Sequence, residues 1–499
     1  MNKKMRFTLT MLIGTVLVLS LTMCKKSDAQ AAAENDGALK QVNLKMIAPG
    51  TPQVDQALVN ASISEYLADE LNVNFEFEQI DWAGWQDRNN LIIASGEEVD
   101  VLFTAPWSGY ETNAAKGAFL DVAEMLPEYA PGIANSNYNW TLVAGKVGDK
   151  LYGIPTYQMM AQQRGFLVNK ALLDKYDMEF DESKVYSPED FEPYLKVIKE
   201  NEPNIIPLYT LHSKLLSFTD PWERQGPLEV TSIDATGDEA VYQNIYKSDM
   251  YIKNMKIARD WFEKGYVNAD IATTREDPIN MLAAGNCFAI VFQTNPPARA
   301  SQEKMCGKEL AGFHLMPAFM ATSLIQGAMF SIPRTSKNPE RALMFLDKMH
   351  TDKKLVNMLV YGLEDRHFVK VSDNAIKAAP GIDPDKPSYY NLQWMFGNQA
   401  LLYTYGDEDP EAPSLLDKFN QDAIKSPALG FTYDSSAMRN EIAALSNVAA
   451  EFDPVISAGV VDVYKEGTYD TFLAKLEAAG IDRLLEDQNK QLNEWLSQQ

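Results

Sequence analysis

Aromatic and hydroxyl side chains follow three apolar segments in the first part of the chain. Thr51, Trp82 and Trp107 each come shortly after a segment with the pattern of a β-strand, and Thr104 closes the third of these segments. An indole ring offers a flat apolar face, and a hydroxyl group both donates and accepts hydrogen bonds. Together these groups suit a small ligand with apolar faces and polar rims, such as a sugar ring. The alternative for each tryptophan is ordinary packing in a hydrophobic core.

Catalytic groups are harder to find in the sequence than binding groups. The motifs G-x-S-x-G and H-E-x-x-H do not occur, and the four histidines are too scattered to suggest a metal site. A glycosidase would need two carboxylates placed across a cleft, and no spacing selects such a pair among the 69 acidic residues. We therefore predict a protein without catalytic residues, bound metal or cofactor. A secreted carbohydrate-active hydrolase is the alternative of another class.

The composition is that of a large, acidic globular protein. The 499 residues are enough for two or three domains, and 46% of them are hydrophobic. The formal net charge of -24 argues against a nucleic-acid partner, because phosphate binding requires basic patches. Cys287 and Cys306 could form a disulfide in an oxidising compartment, or Cys287 could be a buried free thiol within an apolar segment.

The N-terminus has the features of an export signal. Basic residues precede the apolar stretch Phe7–Met23, and Cys24 follows it directly. The sequence Leu-Thr-Met-Cys at residues 21–24 resembles a bacterial lipobox, which predicts a lipoprotein signal peptide over residues 1–24 and a lipid on Cys24. The residue before the cysteine of a lipobox is usually small, and here it is Met23, so cleavage after Ala31 is the alternative. Small and polar residues at 25–40 predict a flexible tether.

Strand and helix patterns alternate over the first hundred residues. The predicted elements are the strand Val42–Ile47, the helix Val54–Leu71, the strand Val73–Ile80, the helix Trp85–Ser95 and the strand Val99–Thr104. This order is typical of an α/β sheet with helical crossovers, in which ligands bind beyond the carboxyl ends of the strands. Thr51, Trp82 and Trp107 should therefore lie at one edge of the sheet. The C-terminal end of the chain is predicted to be helical.

Several short segments resemble motifs of one protein family. They are Ile93–Val101, which contains SGE-x-x-D, and then Lys150–Pro155, Val168–Leu173, Ser336–Ala342, Tyr361–Phe368 and Ala478–Asp482. By these segments the chain resembles family 1 extracellular solute-binding proteins, the ligand-capturing subunits of bacterial ABC importers. It is most similar to their larger lipoprotein members, which have an extended helical C-terminal region. Arg366 departs from the small residue that many relatives have at this place.

The resemblance implies a periplasmic-binding-protein type II-like fold. Such a fold has two α/β lobes with mixed sheets, joined by a hinge that closes on a ligand in the cleft. Residues 41–155 and 290–337 would form lobe 1, and residues 156–289 and 338–499 would form lobe 2 with the helical C-terminal region. The resemblance also implies an extracytoplasmic monomer that is anchored to the bacterial membrane through Cys24 and serves an ABC permease. A secreted or periplasmic location is the alternative.

The resemblance also adds residues to the predicted binding site. It brings to the cleft, from the chain crossings and from the second lobe, Tyr157, Gln158, Trp222, Arg224, Gln293 and Asn295. Trp107 and Trp222 are expected to sandwich the ligand. A saccharide or oligosaccharide is the first choice of ligand, and a peptide or other polar solute is the alternative. Tryptophans inside helical patterns are expected to pack in the core, namely Trp85, Trp261 and Trp394.

Overall fold

The computed structural model describes most of the chain after the N-terminal region. The described residues are 39–211, 215–216, 219–223, 230–383, 386–406, 408, 412–462, 465 and 467–498. The predicted signal peptide, Cys24, residues 25–38 of the predicted tether and Arg224 lie outside these residues. No helix in the described ranges is long and apolar enough to span a membrane.

Nine strands of the described chain build two larger sheets. They are β1 (Val42–Pro49), β2 (Val73–Ile80), β3 (Val101–Thr104), β4 (Ile154–Pro155), β5 (Arg164–Asn169), β6 (Ile206–Tyr209), β7 (Cys287–Gln293), β8 (Leu310–His314) and β9 (Met329–Ser331). Shorter strands lie at Lys146–Val147, Lys150–Leu151, Trp222–Glu223, Thr231–Asp234, Gln243–Asn244, Phe319–Met320, Phe368–Lys370, Ala375–Ala378, Thr404–Tyr405 and Ile424–Lys425.

Helices cover both sheets and form most of the C-terminal region. The longer ones are α1 (Gln56–Tyr66), α2 (Trp82–Ser95), α3 (Tyr110–Ala115), α4 (Lys170–Lys175), α5 (Pro188–Asn201), α6 (Asp249–Glu263), α7 (Pro278–Ala283), α8 (Pro296–Cys306), α9 (Pro339–Thr351), α10 (Lys353–Tyr361), α11 (Ala412–Asp422), α12 (Arg439–Ser457), α13 (Thr468–Ala479) and α14 (Ile481–Leu496). Single turns lie at Pro106–Ser108, Leu126–Tyr129, Pro131–Ala134, Ile245–Lys247, Thr322–Ile325, Gln393–Met395, Gln399–Leu401 and Ser435–Ala437, and a longer 3-10 segment lies at Asn139–Gly145.

The first sheet has the strand order β2-β1-β3-β9-β4. β1 pairs in parallel with β2 along its whole length and with β3 on its other side, whereas β9 is antiparallel to β3 and β4. In β2, Phe75 and Phe77 are buried while Asn74 and Glu76 face solvent, which is the predicted alternation. The carboxyl ends of β1, β2 and β3 therefore lie at one edge, as the α/β pattern predicted.

The second sheet has the strand order β8-β5-β7-β6 and is mixed. β5 is antiparallel to both of its neighbours, and β7 is parallel to β6. Phe166 of β5 and Phe313 of β8 pack with Phe191 of α5 and Trp261 of α6 in one core. The predicted α/β class with mixed sheets is thus confirmed, and Trp261 is a core residue as expected.

The chain divides between the two sheets differently from the prediction. β7 and β8 pair in the second sheet, so most of residues 290–314 do not belong with lobe 1. α9 and α10 pack on the first sheet instead of lobe 2, and Phe345 of α9 stacks on Phe75 at a ring distance of 4.8 Å. The reason is that the buried faces of these helices match the apolar face of the first sheet. The placement of residues 290–314 and 339–402 was therefore wrong.

The C-terminal helices form a further apolar cluster. Buried residues of α12, α13 and α14 pack with the short strands between residues 222 and 244 and with α6. Trp222 is one of these core residues, with 4% of its surface exposed. The predicted helical C-terminal region is confirmed, and it contacts the second sheet through α6.

The two cysteines in the described part of the chain are free thiols. Cys287 at the start of β7 and Cys306 at the end of α8 are both buried. Burial raises the pKa of Cys287 to about 12, which keeps the thiol protonated and unreactive at neutral pH. Of the two alternatives considered for these residues, the structure shows the buried free thiol.

An ion-pair network joins β1, β2 and α2 at the SGE segment. The Glu97 carboxylate binds both Arg88, at 2.6 Å, and Lys45, at 3.2 Å. Lys45 also contacts Glu78 of β2 at 3.0 Å. The hydrogen bond from Arg88 lowers the pKa of Glu97 to about 2, with Lys45 assisting and partial burial opposing the shift.

Acid should weaken this network before it affects the cores. Because the folded-state pKa of Glu97 lies below its unfolded value, its contribution is complete above pH 4.5 and disappears as the pH falls towards 2. After solvent screening we expect about 1 kcal/mol for the network. Urea unfolding of wild type and Glu97→Gln should differ by this amount at pH 7 and converge near pH 2. An equal difference at both pH values would contradict the role of the charge.

Candidate functional site

Three tryptophans meet at the carboxyl edge of the first sheet. Trp82 and Trp107 have 41% and 47% of their surfaces exposed, and their ring centres are 6.1 Å apart. Trp394 is half-buried, and its ring lies 6.4 Å from that of Trp82 at an interplanar angle of 28°. We refer to these three residues as the tryptophan cluster. It presents aromatic faces where an α/β sheet binds its ligands.

The loop that carries Trp107 is fixed by several hydrogen bonds. Trp107 lies in a single turn that ends at Gly109, whose φ of 79° suits glycine. The indole of the buried Trp85 donates to Ser108 Oγ at 2.8 Å, and Trp107 itself donates to the carbonyl of Gly327 at 3.2 Å. Trp85 is therefore a packing residue, as predicted, and it holds the loop that exposes Trp107.

The other two members of the cluster are held at helix starts and turns. Trp82 is the first residue of α2, where Asp81 caps the helix by accepting a hydrogen bond from Ala83 N at 3.0 Å. The turn that contains Trp394 is bonded to the segment that leaves the first sheet after β4, which we call the chain crossing. The hydroxyl of Thr156 in this segment donates to the Met395 carbonyl at 3.0 Å. Trp394 was expected to pack in a core. Its separation from Trp82 in sequence left no local signal for this contact.

The two threonines predicted for the site differ in exposure. Thr51 is exposed directly beyond β1, and its carbonyl accepts from Gln53 Nε2 at 2.6 Å. Thr104 is buried at the end of β3, and its hydroxyl has no hydrogen-bond partner among the described residues. The structure therefore places Thr51, Trp82, Thr104 and Trp107 at the same edge, with Thr104 beneath the surface.

Tyr157 and Gln158 lie in the chain segment that leaves the first sheet, but they point to different places. Gln158 lies beside Gly327, the residue whose carbonyl accepts the hydrogen bond from Trp107. The amide nitrogen of Gln158 is 3.6 Å from the position that a Cβ atom on Gly327 would take. Tyr157 is only 3% exposed and stacks on Tyr138 at 4.4 Å. Successive side chains of extended backbone point in opposite directions, which explains the difference.

The side chain of Tyr157 borders a separate groove of about 380 Å³. Its hydroxyl donates to Asp417 of α11, and burial raises the pKa of Tyr157, so the phenol stays protonated. The expectation that Tyr157 lines the ligand cleft with the tryptophans is therefore corrected, because its ring is used to join the crossing to α11. Residues that line the groove are Asn137, Tyr138, Tyr157, Asn398, Ala400, Pro413 and Asp417.

Gln293 and Asn295 are occupied by contacts within the second sheet region. Asn295 is 1% exposed and caps α8, since its Oδ1 accepts from Ala298 N at 2.9 Å. Its amide nitrogen donates to Gln293 Oε1 at 3.2 Å, and Gln293 is half-buried. Asn295 is therefore a helix cap, a role that its position before two prolines could have indicated.

Trp222 does not form the predicted sandwich with Trp107. Its indole is buried in the C-terminal cluster, whereas the ring contacts of Trp107 in the described residues are with Trp82 and Phe103. A tryptophan in a short strand with one face on a core has little surface left for a ligand. Arg224, predicted beside it, lies outside the described residues.

An ion pair fixes the loop that follows Thr51. Arg366 binds both oxygens of Asp55, at 3.1 and 3.0 Å, and the Ser388 hydroxyl donates to the same carboxylate at 2.9 Å. His367 is buried, and burial lowers its pKa, so the ring is neutral. Its Nδ1 accepts from Leu363 N at 2.8 Å, which leaves Nε2–H to donate to Asp55 at 3.1 Å. The loop around Arg366 and His367 is therefore tightly bonded to Asp55.

The described residues offer no metal site. Across the described ranges, no group of three or more histidine, cysteine, aspartate or glutamate side chains could hold an ion. What the edge of the first sheet offers is aromatic surface with a few amides, hydroxyls and carboxylates, which can bind a ligand by stacking and hydrogen bonding.

Two sheets joined by chain crossings, with an aromatic edge beside them, are the architecture expected of a solute-binding protein. The family described as bacterial extracellular solute-binding protein matches residues 49–354, and the chain belongs to this family. The protein is therefore extracytoplasmic, and the family predicted from the sequence motifs is confirmed. A second family, described as a domain of unknown function, matches residues 427–497 within the C-terminal helices.

Two individual proteins that the chain resembles come from Streptococcus pneumoniae. The chain is 25% identical to a carbohydrate ABC transporter substrate-binding protein of Streptococcus pneumoniae serotype 4 over 480 residues, which are 93% of this chain and 92% of that protein. It is also similar to the crystal structure of the N-glycan transport solute binding protein NgtS from Streptococcus pneumoniae, with 25% identity, a TM-score of 0.80, and coverage of 91% of this chain and 99% of that one.

A more distant structure shares the fold. It is the HMO binding ABC-transporter associated solute binding protein from Bifidobacterium longum infantis, with 15% identity and a TM-score of 0.65. The match covers 91% of this chain and 99% of that chain. The similarity in fold thus extends over most of the chain.

Proposed function

We propose that this protein captures a saccharide or oligosaccharide for an ABC importer. The observation that carries the proposal is the tryptophan cluster at the carboxyl edge of the first sheet. Sugar rings stack their apolar faces on indoles, and their hydroxyls bind the polar groups around them. The streptococcal relatives named for carbohydrate and N-glycan transport support the same ligand class.

Binding would close two lobes about the chain crossings. In this proposal, residues 41–155 and 329–405 form lobe 1, and the second sheet with the C-terminal helices forms lobe 2. Two segments that leave and re-enter the first sheet run side by side, with a pairing between Gln162 and Phe319. The segment at Tyr157 also pairs with Asn398. A ligand that contacts both lobes would favour the closed state by the difference in its affinity for the two states.

The N-terminal region would hold the protein beside its permease. Lipidation of Cys24 would anchor the chain to the outer face of the cell membrane, and residues 25–40 would act as slack between the membrane and the lobes. In this arrangement a monomer delivers its ligand to the transmembrane subunits. Metabolic labelling with an alkyne fatty acid should label wild type but not Cys24→Ala.

The function is tested by binding without turnover. The mature chain should melt at a higher temperature with oligosaccharides, including a mannose–N-acetylglucosamine series, and not with peptides. At a ligand concentration of 100 Kd the stabilisation is about 2.7 kcal/mol. Mass spectrometry should recover the sugar unchanged. A shift only with peptides would overturn the ligand class, and a hydrolysed product would support the hydrolase alternative.

A further inference from the structure

A carboxylate lies in the same strand-end connection as Trp107. Glu111 follows Trp107 by four residues and belongs to the first turn of α3. The neighbouring Ser108 and Tyr110 are buried and point into the protein, whereas Trp107 is exposed and Glu111 is half-buried. The Tyr110 hydroxyl donates to the Gly145 carbonyl at 2.6 Å, which fixes the start of the helix that carries Glu111.

Glu111 has no charge partner in the described part of the chain. No lysine, arginine or other side chain there forms an ion pair or hydrogen bond with its carboxylate, although burial raises its pKa. Two other half-buried carboxylates beside the first sheet are paired, Glu97 with Arg88 and Asp55 with Arg366. The one interaction that opposes this shift of the Glu111 pKa is a hydrogen bond from the backbone N–H of the same residue. A desolvated carboxylate without a side-chain partner costs stability, and such a cost is typical of a functional group.

A second acceptor without a donor lies at the same edge. Gln79, next to the last residue of β2, has a buried side-chain carbonyl that lacks a hydrogen-bond partner among the described residues. A Cβ atom on residue 50 would lie only 2.4 Å from the Gln79 amide nitrogen. Residue 50 is a glycine with a φ of 154°. Only glycine at this position lets the Gln79 side chain lie across the ends of β1 and β2.

We propose that Glu111 makes this site selective for neutral saccharides over acidic ones. A carboxylate can only accept hydrogen bonds, so Glu111 favours a ligand rich in donors. Sugar hydroxyls meet this need while the ring stacks on Trp107. A uronic or sialic acid group would bring a second carboxylate against Glu111, and the two like charges would repel each other. This inference rests on the proposed function.

Glu111→Gln tests the charge while keeping the shape of the side chain. Isothermal titration at pH 7 would use a neutral oligosaccharide that stabilises the wild type, and its counterpart with one sialic or uronic acid. We expect the wild type to prefer the neutral sugar by at least about tenfold and Glu111→Gln to lose about tenfold of that affinity. The variant should also discriminate less between the two sugars. Glu124→Gln, an exposed change in the same lobe, is the matched control.

The outcomes separate this inference from the proposed function. Glu111→Gln should melt no lower than wild type without ligand, because it removes a half-buried charge that has no side-chain partner in the described residues; this excludes misfolding as the cause of weak binding. If the wild type binds neutral saccharides and Glu111→Gln binds them equally well, or if the wild type prefers the acidic sugar, only the role of Glu111 is overturned. If the wild type binds no saccharide, the proposed function fails as well.

Discussion

Replacing Trp107 by alanine should weaken saccharide binding by about 30- to 150-fold and leave the fold of the free protein intact. Nearly half of the Trp107 surface is exposed, so its indole contributes little to the core. A ring that covers on the order of 100 Å² of sugar contributes about 2–3 kcal/mol to binding. Each 1.4 kcal/mol changes an affinity tenfold, which gives the expected range.

A graded series makes this result specific. Trp107→Phe keeps a smaller aromatic face and should fall between wild type and alanine in titrations at one temperature and salt concentration. The melting temperatures of the three ligand-free proteins should agree within a few degrees, because the Trp107 ring is nearly half exposed. The substitutions remove its hydrogen bond to Gly327 and part of its ring contacts with Trp82 and Phe103. Equal affinity of Trp107→Ala and wild type would remove Trp107 from the site.

Local patterns were enough to predict the strands of the first sheet. The alternation in Val73–Ile80 and the apolar run before Thr104 depend only on neighbouring residues, and both strands are present with small changes at their ends. α2 begins at Trp82, three residues before the prediction, because Asp81 supplies a cap that the hydrophobic pattern does not reveal. The observed end of a helix differs from the predicted one where a single capping side chain determines it.

Long-range contacts decided what the sequence could not predict. The pairing of β7 and β8 with the second sheet, and the packing of α9 on Phe75, depend on residues far apart in the chain. Sequence order alone suggests a lobe boundary near the hinge motifs but does not identify which sheet a later helix will cover. The division of residues between the lobes was therefore the weakest part of the predicted fold.

The predicted site residues also divide into those positioned by local patterns and those positioned by long-range contacts. Trp82 and Trp107 were predicted from strand ends, and the structure brings them together because parallel strands end at one edge. Tyr157 and Trp222 were chosen for residue type and position, but side-chain direction buries both. Trp394 reaches the cluster only through a contact with a residue over 300 positions away in sequence, for which a single sequence carries no signal.

Gly397→Ala should destabilise lobe 1 by about 3 kcal/mol or more and weaken ligand binding at the same time. Gly397 has a φ of 52°, and a Cβ there would lie 2.0 Å from the Met349 carbonyl oxygen, a backbone atom of α9. The Gly397 carbonyl accepts from Tyr157 N at 2.8 Å, so the glycine joins α9 to the chain crossing. Relieving the clash would move this segment, which carries Trp394, away from Trp82.

Gly148→Ala is the control for Gly397→Ala, because it adds a side chain to left-handed backbone without creating a steric clash. Gly148 has a φ of 61°, and no atom lies within 4 Å of the Cβ that alanine would add. Its replacement should therefore cost only about 1–2 kcal/mol and leave the affinity for sugar unchanged. Urea unfolding and titration of both variants would show whether the tryptophan cluster depends on the packing of Gly397 against α9. If Gly397→Ala unfolds like Gly148→Ala and binds like wild type, the position of Trp394 does not depend on that packing.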